Sequence, residues 1–212
     1  KWKRDLLRLR QKTKQERNRI NMTSQTLREA RKYEEASEKM IKQEERPDFH
    51  LSVRTGWMND PNGFSYYNGQ YHLFYQYNPY APRWDSMHWG HAVTKDFLHW
   101  DYLPAALAPD EAYDRDGCFS GSALTLPDGR QLLMYTGVLR ERKENGEHCD
   151  TQTQCLAVGD GVDYEKCAGN PVLDKNDIPE GSSVHDFRDP KMWQAEDGTY
   201  CCVVGNRPAD GS

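Results

Sequence analysis

The stretch Asn68–Tyr77, NGQYHLFYQY, decides how the chain is read. An Asn-Gly pair, a favoured two-residue hairpin turn, runs straight into an apolar, aromatic-rich strand. The same grammar returns at Asp128–Gly137 as DGRQLLMYTG and at Asp197–Asn206 as DGTYCCVVGN. The turn glycines Gly69, Gly129 and Gly198 lie 60 and 69 residues apart. A further echo follows the first two hairpins, in KDFLHWDYL from Lys95 and GDGVDYEKC from Gly159. Each unit therefore holds about four strands in roughly 60–70 residues, the signature of propeller blades somewhat longer than the common repeats.

Nine residues before each turn glycine stand Asp60, Ser120 and Asp189, in NDPNG, FSGS and RDP. In a propeller the innermost strand of each blade lines the central channel, so equivalent strand starts converge at one mouth. Three polar side chains are thereby expected in one pocket, with Trp57, Met58 and Phe119 as its apolar rim. The composition of Trp57–Gly63, WMNDPNG, reads as a tight turn. Backbone amides of such a turn would keep the Asp60 carboxylate ionised. Two carboxylates in a pocket suit glycosidic cleavage, which needs a nucleophile or a stabiliser of an oxocarbenium-like transition state. Trp57, Phe64, Tyr77, Trp84 and Trp89 supply aromatic walls for the apolar faces of sugar rings.

Residues 1–46 have a different grammar. They contain no Gly and no Pro and favour helix, with a cap option at Ser24 and Leu27, Ala30 and Tyr33 at helical spacing. The pattern predicts a helix over 24–45, lying outside the β region as a charged lead-in, with Pro47 ending it. The β domain is expected over 47–212. Net charge is −5. Residues 1–21 carry nine Lys/Arg against two Asp/Glu, a basic arm that reads as a solvated extension, and the acidic remainder argues against nucleic acid as a partner. No apolar run approaches the ~20 residues of a membrane span, and no signal-peptide core follows the basic start. The six cysteines form no CxxC pair, and His88 and His91 lack companions for a metal site, so reduced thiols and no metal are expected.

The motifs WMNDPNG, FYQYNP, HWGHA, FSGS and FRDP, in this order and spacing, resemble glycoside hydrolase family 32, the invertases, sucrose-6-phosphate hydrolases and fructanases. The lead-in from Ala30 is most similar to the bacterial cytoplasmic sucrose-6-phosphate hydrolase branch, which implies a cytoplasmic protein. The resemblance implies a five-bladed propeller followed by a β-sandwich, and retaining hydrolysis of β-fructofuranosides such as sucrose, sucrose 6-phosphate or a short fructan. It implies Asp60 as nucleophile and Asp189 as transition-state stabiliser. Trp57, Met58, Asn59, Gln76, Trp84, Phe119, Ser120 and Arg188 would bind the sugar, with no cofactor.

One departure stands against the pattern. The family places its general acid in a Glu-Cys pair beyond the RDP motif, and the sequence contains no Glu-Cys dipeptide. About three of five blades fit within the chain, the sandwich is absent, and the expectation is a fragment cut before its acid, inactive by itself. A fructan-binding propeller without catalysis is the other reading. Choice between sucrose and its 6-phosphate stays open.

Overall fold

The computed structural model describes residues 23–142 and 146–211. The basic arm 1–21 therefore lies outside the described residues. The described chain is all-β apart from one α-helix and a short 3₁₀ turn. Strands β1 (Trp57–Tyr67), β2 (Gln70–Asn78), β3 (His88–Thr94) and β4 (Asp101–Leu107) form one antiparallel meander, in sequence order. A second meander joins β5 (Gly117–Thr125), β6 (Gln131–Arg142), β7 (His148–Gly159) and β8 (Tyr164–Lys166). The hairpin β9 (Arg188–Gln194) and β10 (Tyr200–Gly205) begins a third unit. Strand β5 lies against both β1 and β9, so the first strands of the three units run side by side.

The three turn motifs sit where the repeat places them, with one refinement. Asn68 and Gly69 make a true two-residue turn between Tyr67 and Gln70, both with positive φ. The other two hairpins close through longer loops, Leu126–Arg130 and Ala195–Thr199, each sealed by backbone bonds across its mouth. The echoes at Lys95 and Gly159 lead into the fourth strands, β4 and β8.

The reading of WMNDPNG as a turn is corrected. The stretch is the opening of strand β1, where Trp57 pairs with Asn78 and Met58 with Tyr77. Register shifts between Met58 and Pro61 and between Asn62 and Ser65 absorb its turn-forming residues. A bulge leaves a residue outside the ladder, which accommodates a proline that cannot donate and a glycine at positive φ. Gly63 has φ +52°, and a Cβ there would stand 2.6 Å from the Phe74 ring. Sequence composition alone does not separate a bulged strand from a turn.

The core lies between the two meanders. Phe74 and Trp89 from the first pack with Ala123, Leu133, Tyr135 and Tyr164 from the second. Two buried imidazoles join this interface: His72 Nδ1 and His91 Nε2 lie 2.9 Å apart, and His91 stacks on Phe74 at 4.1 Å. His88 is buried beside them in sequence, its Nδ1 bonded to the Ser86 carbonyl.

Helix α1 (Gln25–Glu38) is shorter than the predicted span, with a 3₁₀ turn at Gln43–Glu45. Ser24 caps it by accepting from the Leu27 amide at 3.1 Å. Met40 then bonds back to Ser37 and closes its end. Leu27, Ala30 and Glu34 form its buried stripe. That stripe faces the open edge of β4, so the helix is fastened to the β domain. Glu34 Oε1 accepts from the Ala105 amide at 2.9 Å and from Arg54 at 3.1 Å, while Arg31 Nε donates to the Ala105 carbonyl at 2.9 Å. An unpaired strand edge is thereby satisfied by side chains instead of another strand. Arg31 also reaches Asp163 of the second meander at 2.7 Å, tying both sheets together.

The buried histidines set an acid limit on stability. Desolvation holds His88 at about 4, and lowers His72 and, further, His91. An unfolded chain binds these protons near the ordinary value of about 6.5, so the stabilisation is complete above that pH and is lost as pH falls toward 4. From His88 alone the loss amounts to on the order of 3 kcal/mol. Urea melts at pH 7 and pH 4.5 should show the midpoint falling steeply; equal midpoints would contradict this.

Candidate active site

The pocket forms where β1, β5 and β9 start. The exposed Asp60 carboxylate accepts a hydrogen bond from Ser120 Oγ at 3.0 Å, joining β1 to β5. The donor is thus a hydroxyl from the next sheet, where the sequence suggested turn amides. A cavity of ≈370 Å³ opens here, lined among others by Asn62, Phe64, Ser120, Ser122, Asp189 and Lys191. Asp189 sits at its wall with φ +62°, a left-handed conformation costly for a non-glycine residue and here imposed just before Pro190. Its backbone amide donates to Thr136 Oγ1 at 3.1 Å. Thr136 in turn donates to Gln154 Oε1 at 3.0 Å, and Gln154 Nε2 donates to the Phe187 carbonyl at 2.6 Å. This buried chain of side chains, from β6 and β7, holds the strained residue in place.

Electrostatically the two carboxylates feel each other. Partial burial pushes the Asp189 carboxyl above the ordinary range; Arg188 opposes this and the nearby Asp60 carboxylate adds to it. Arg188 Nε lies 3.8 Å from Asp189 Oδ2, and its Nη1 donates to Asp186 at 2.9 Å. Asp186, held by Arg188 first and then by Arg207, is driven down to about 2 and stays ionised. A carboxylate at the cavity wall, Asp189, and a second, Asp60, near enough to help raise it and bonded to the lining residue Ser120, can together stabilise a cationic transition state and supply a nucleophile.

The remaining sequence candidates fall into two groups. Phe119 and Trp84 meet edge to face at 5.8 Å, with Trp84 44% exposed, so both offer aromatic surface beside Ser120. Trp57 Nε1 donates to Asn59 Oδ1 at 2.8 Å, fixing both at the strand start. Gln76 and Met58 sit deeper. Gln76 is 3% exposed and its amide donates to the Cys118 carbonyl at 3.0 Å, buttressing β5 from behind. Met58 packs with Tyr75, Tyr77 and Leu27 on the other face of the first sheet. Trp89, expected as an aromatic wall, is fully buried and donates to the Phe119 carbonyl at 3.0 Å. Thr136, Gln154 and Asn62, whose Oδ1 accepts from the Gly121 amide at 3.3 Å, were not legible as site residues. The one signal for Thr136 is its place opposite Phe119 in the hairpin register.

Consecutive antiparallel meanders whose first strands lie side by side, with Asp60 and Asp189 near the starts of the first and third, define the all-β class of the chain. The sequence model of the glycosyl hydrolases family 32 N-terminal domain matches residues 50–211, and the chain belongs to that family. It is 44% identical over 176 residues to a sucrose-6-phosphate hydrolase of Zymomonas mobilis, covering 82% of this chain and 33% of that protein. It is 46% identical over 166 residues to a raffinose invertase of Escherichia coli, covering 77% and 33%. The solved β-fructofuranosidase of Bombyx mori superposes with a TM-score of 0.73 at 40% identity, over 86% of this chain and 37% of that one. A variant of that silkworm enzyme has been solved in complex with sucrose. The chain thus spans about a third of the length of the curated relatives it matches. Among the described residues, no helix is long and apolar enough to cross a membrane, and no group of three or more His, Cys, Asp or Glu could hold a metal ion.

Proposed function

We propose that this chain is the N-terminal part of a β-fructofuranosidase that hydrolyses terminal β-D-fructofuranosides, such as sucrose or sucrose 6-phosphate, with retention. The observation that carries the reading is the Asp60–Ser120 bond beside a strained Asp189 at one cavity mouth. Asp60 is the nucleophile at the fructosyl anomeric carbon. Asp189 binds fructose hydroxyls and stabilises the oxocarbenium-like charge. Asn59, Ser120 and Arg188 hold the sugar polar edges, and Trp57, Trp84 and Phe119 its apolar faces. Gln76 and Met58 act from behind the wall. The three units belong to a five-bladed propeller of a cytoplasmic enzyme, with 1–46 as its lead-in and 47–212 as the start of the catalytic domain.

The glycosidic oxygen must be protonated as the leaving sugar departs, and a positioned acid contributes roughly 10²–10⁴ in rate. No Glu lines the described cavity. We assign the acid to the part of the relatives' length that this chain does not span. Glucose release from sucrose by the full-length protein and by residues 1–212 tests this. Full-length turnover with at least a hundredfold loss in the shorter chain is expected. Equal turnover by both would place the acid within this chain, and none by the full-length protein would overturn the reading.

A further inference from the structure

A second and larger cavity, ≈680 Å³, lies at the end of β6 and the start of β7. Its charged walls are Arg140, Asp150, Asp186 and Arg207, and His148, Cys149 and His185 complete the lining, with the His185 ring against the Cys149 thiol and the Asp150 carbonyl. It is linked to the carboxylate pocket on two sides. The Arg140 guanidinium lies over the Trp84 ring at 5.8 Å, and Trp84 in turn meets Phe119 beside Ser120. On the other side Asp186 accepts from Arg188, the neighbour of Asp189.

Both guanidinium groups of this cavity are already committed. Arg140 binds Asp150 through two nitrogens, at 2.8 and 3.1 Å. Arg207 Nε donates to Asp186 Oδ2 at 2.6 Å. Each cation therefore brings its own carboxylate to the cavity wall. Such paired walls suit hydroxyl groups, which donate to the carboxylate and accept from the guanidinium. A phosphate monoester only accepts. Seated here it would face Asp150 and Asp186 as like charge.

We infer that this cavity receives the leaving group of the substrate and is built for an uncharged, hydroxyl-bearing sugar, so that non-phosphorylated β-fructofuranosides are preferred over their 6-phosphates. The inference rests on the proposed fructofuranosidase reading and goes further, because the relatives include both a sucrose-6-phosphate hydrolase and a raffinose invertase and do not decide between them. Asp150 is the specificity-determining residue, since its carboxylate neutralises Arg140.

The test is kcat/KM of the full-length protein on sucrose and on sucrose 6-phosphate, for wild type and Asp150→Asn. Wild type should favour sucrose by about tenfold. Asp150→Asn frees the Arg140 guanidinium and should move the ratio at least threefold toward the phosphate ester, mainly through KM. The ratio is taken within one preparation, so it does not depend on the fraction of folded protein. A wild-type ratio of one or below overturns the inference, as does an unmoved ratio in an active Asp150→Asn. If that variant is inactive, the wild-type ratio decides alone. Turnover of neither sugar would instead overturn the fructofuranosidase reading itself.

Discussion

Asp60→Asn in the full-length protein should lower sucrose turnover by roughly 10⁴-fold or more, the scale on which loss of a covalent nucleophile acts. The amide has the same shape as the carboxylate and still accepts from Ser120 Oγ, so the 3.0 Å bond and the fold around it should persist. What is lost is the negative oxygen that attacks the anomeric carbon. A neutral amide oxygen cannot form the glycosyl-enzyme intermediate at a useful rate. Asp60 is exposed, so the change buries no new polar group and thermal stability should move little. Glucose release is the measurement, with fructose binding by calorimetry as the control for an intact pocket. Turnover near wild type would refute the assignment of Asp60.

Asp189→Asn should cost about 10³-fold in kcat, with a smaller change in KM, for a different reason. This residue makes no covalent bond in the proposed mechanism. It stabilises charge that appears on the ring only as the bond breaks, and removal of one such group costs on the order of 10²–10³ in rate. Its geometry is imposed by the fold: φ is +62°, and the backbone amide is pinned to Thr136 Oγ1 at 3.1 Å. Asparagine tolerates left-handed φ about as well as aspartate, so the substitution changes charge without releasing the strain. The outcome that would sink the role is a change confined to KM, since that would mean the side chain binds ground state and transition state alike.

The nine-residue offset from the hairpin glycines named Asp60, Ser120 and Asp189 together, and the fold makes them neighbours across β1, β5 and β9. That much was legible because a hairpin turn is a local event, and a fixed offset from it fixes a position along the strand. The core-facing stripe of α1 was legible in part, from Leu27 and Ala30 at helical spacing. The tertiary structure decided the rest. It made WMNDPNG a bulged strand, because the ladder with Asn78 and Tyr77 outweighs local turn preference. It withdrew Gln76, Met58 and Trp89 from the pocket surface, because each faces a neighbouring sheet or helix whose register no local pattern encodes. It recruited Thr136 and Gln154 to hold Asp189, and it paired Arg140 with Asp150 beside Trp84. By itself the sequence determined the repeated hairpins and the polar residues at a fixed offset before them, since these follow from periodicity and backbone preference. Which polar groups meet across sheets was decided only when apolar faces packed, because burial leaves each hydrogen-bonding group no partner but the one the packing supplies.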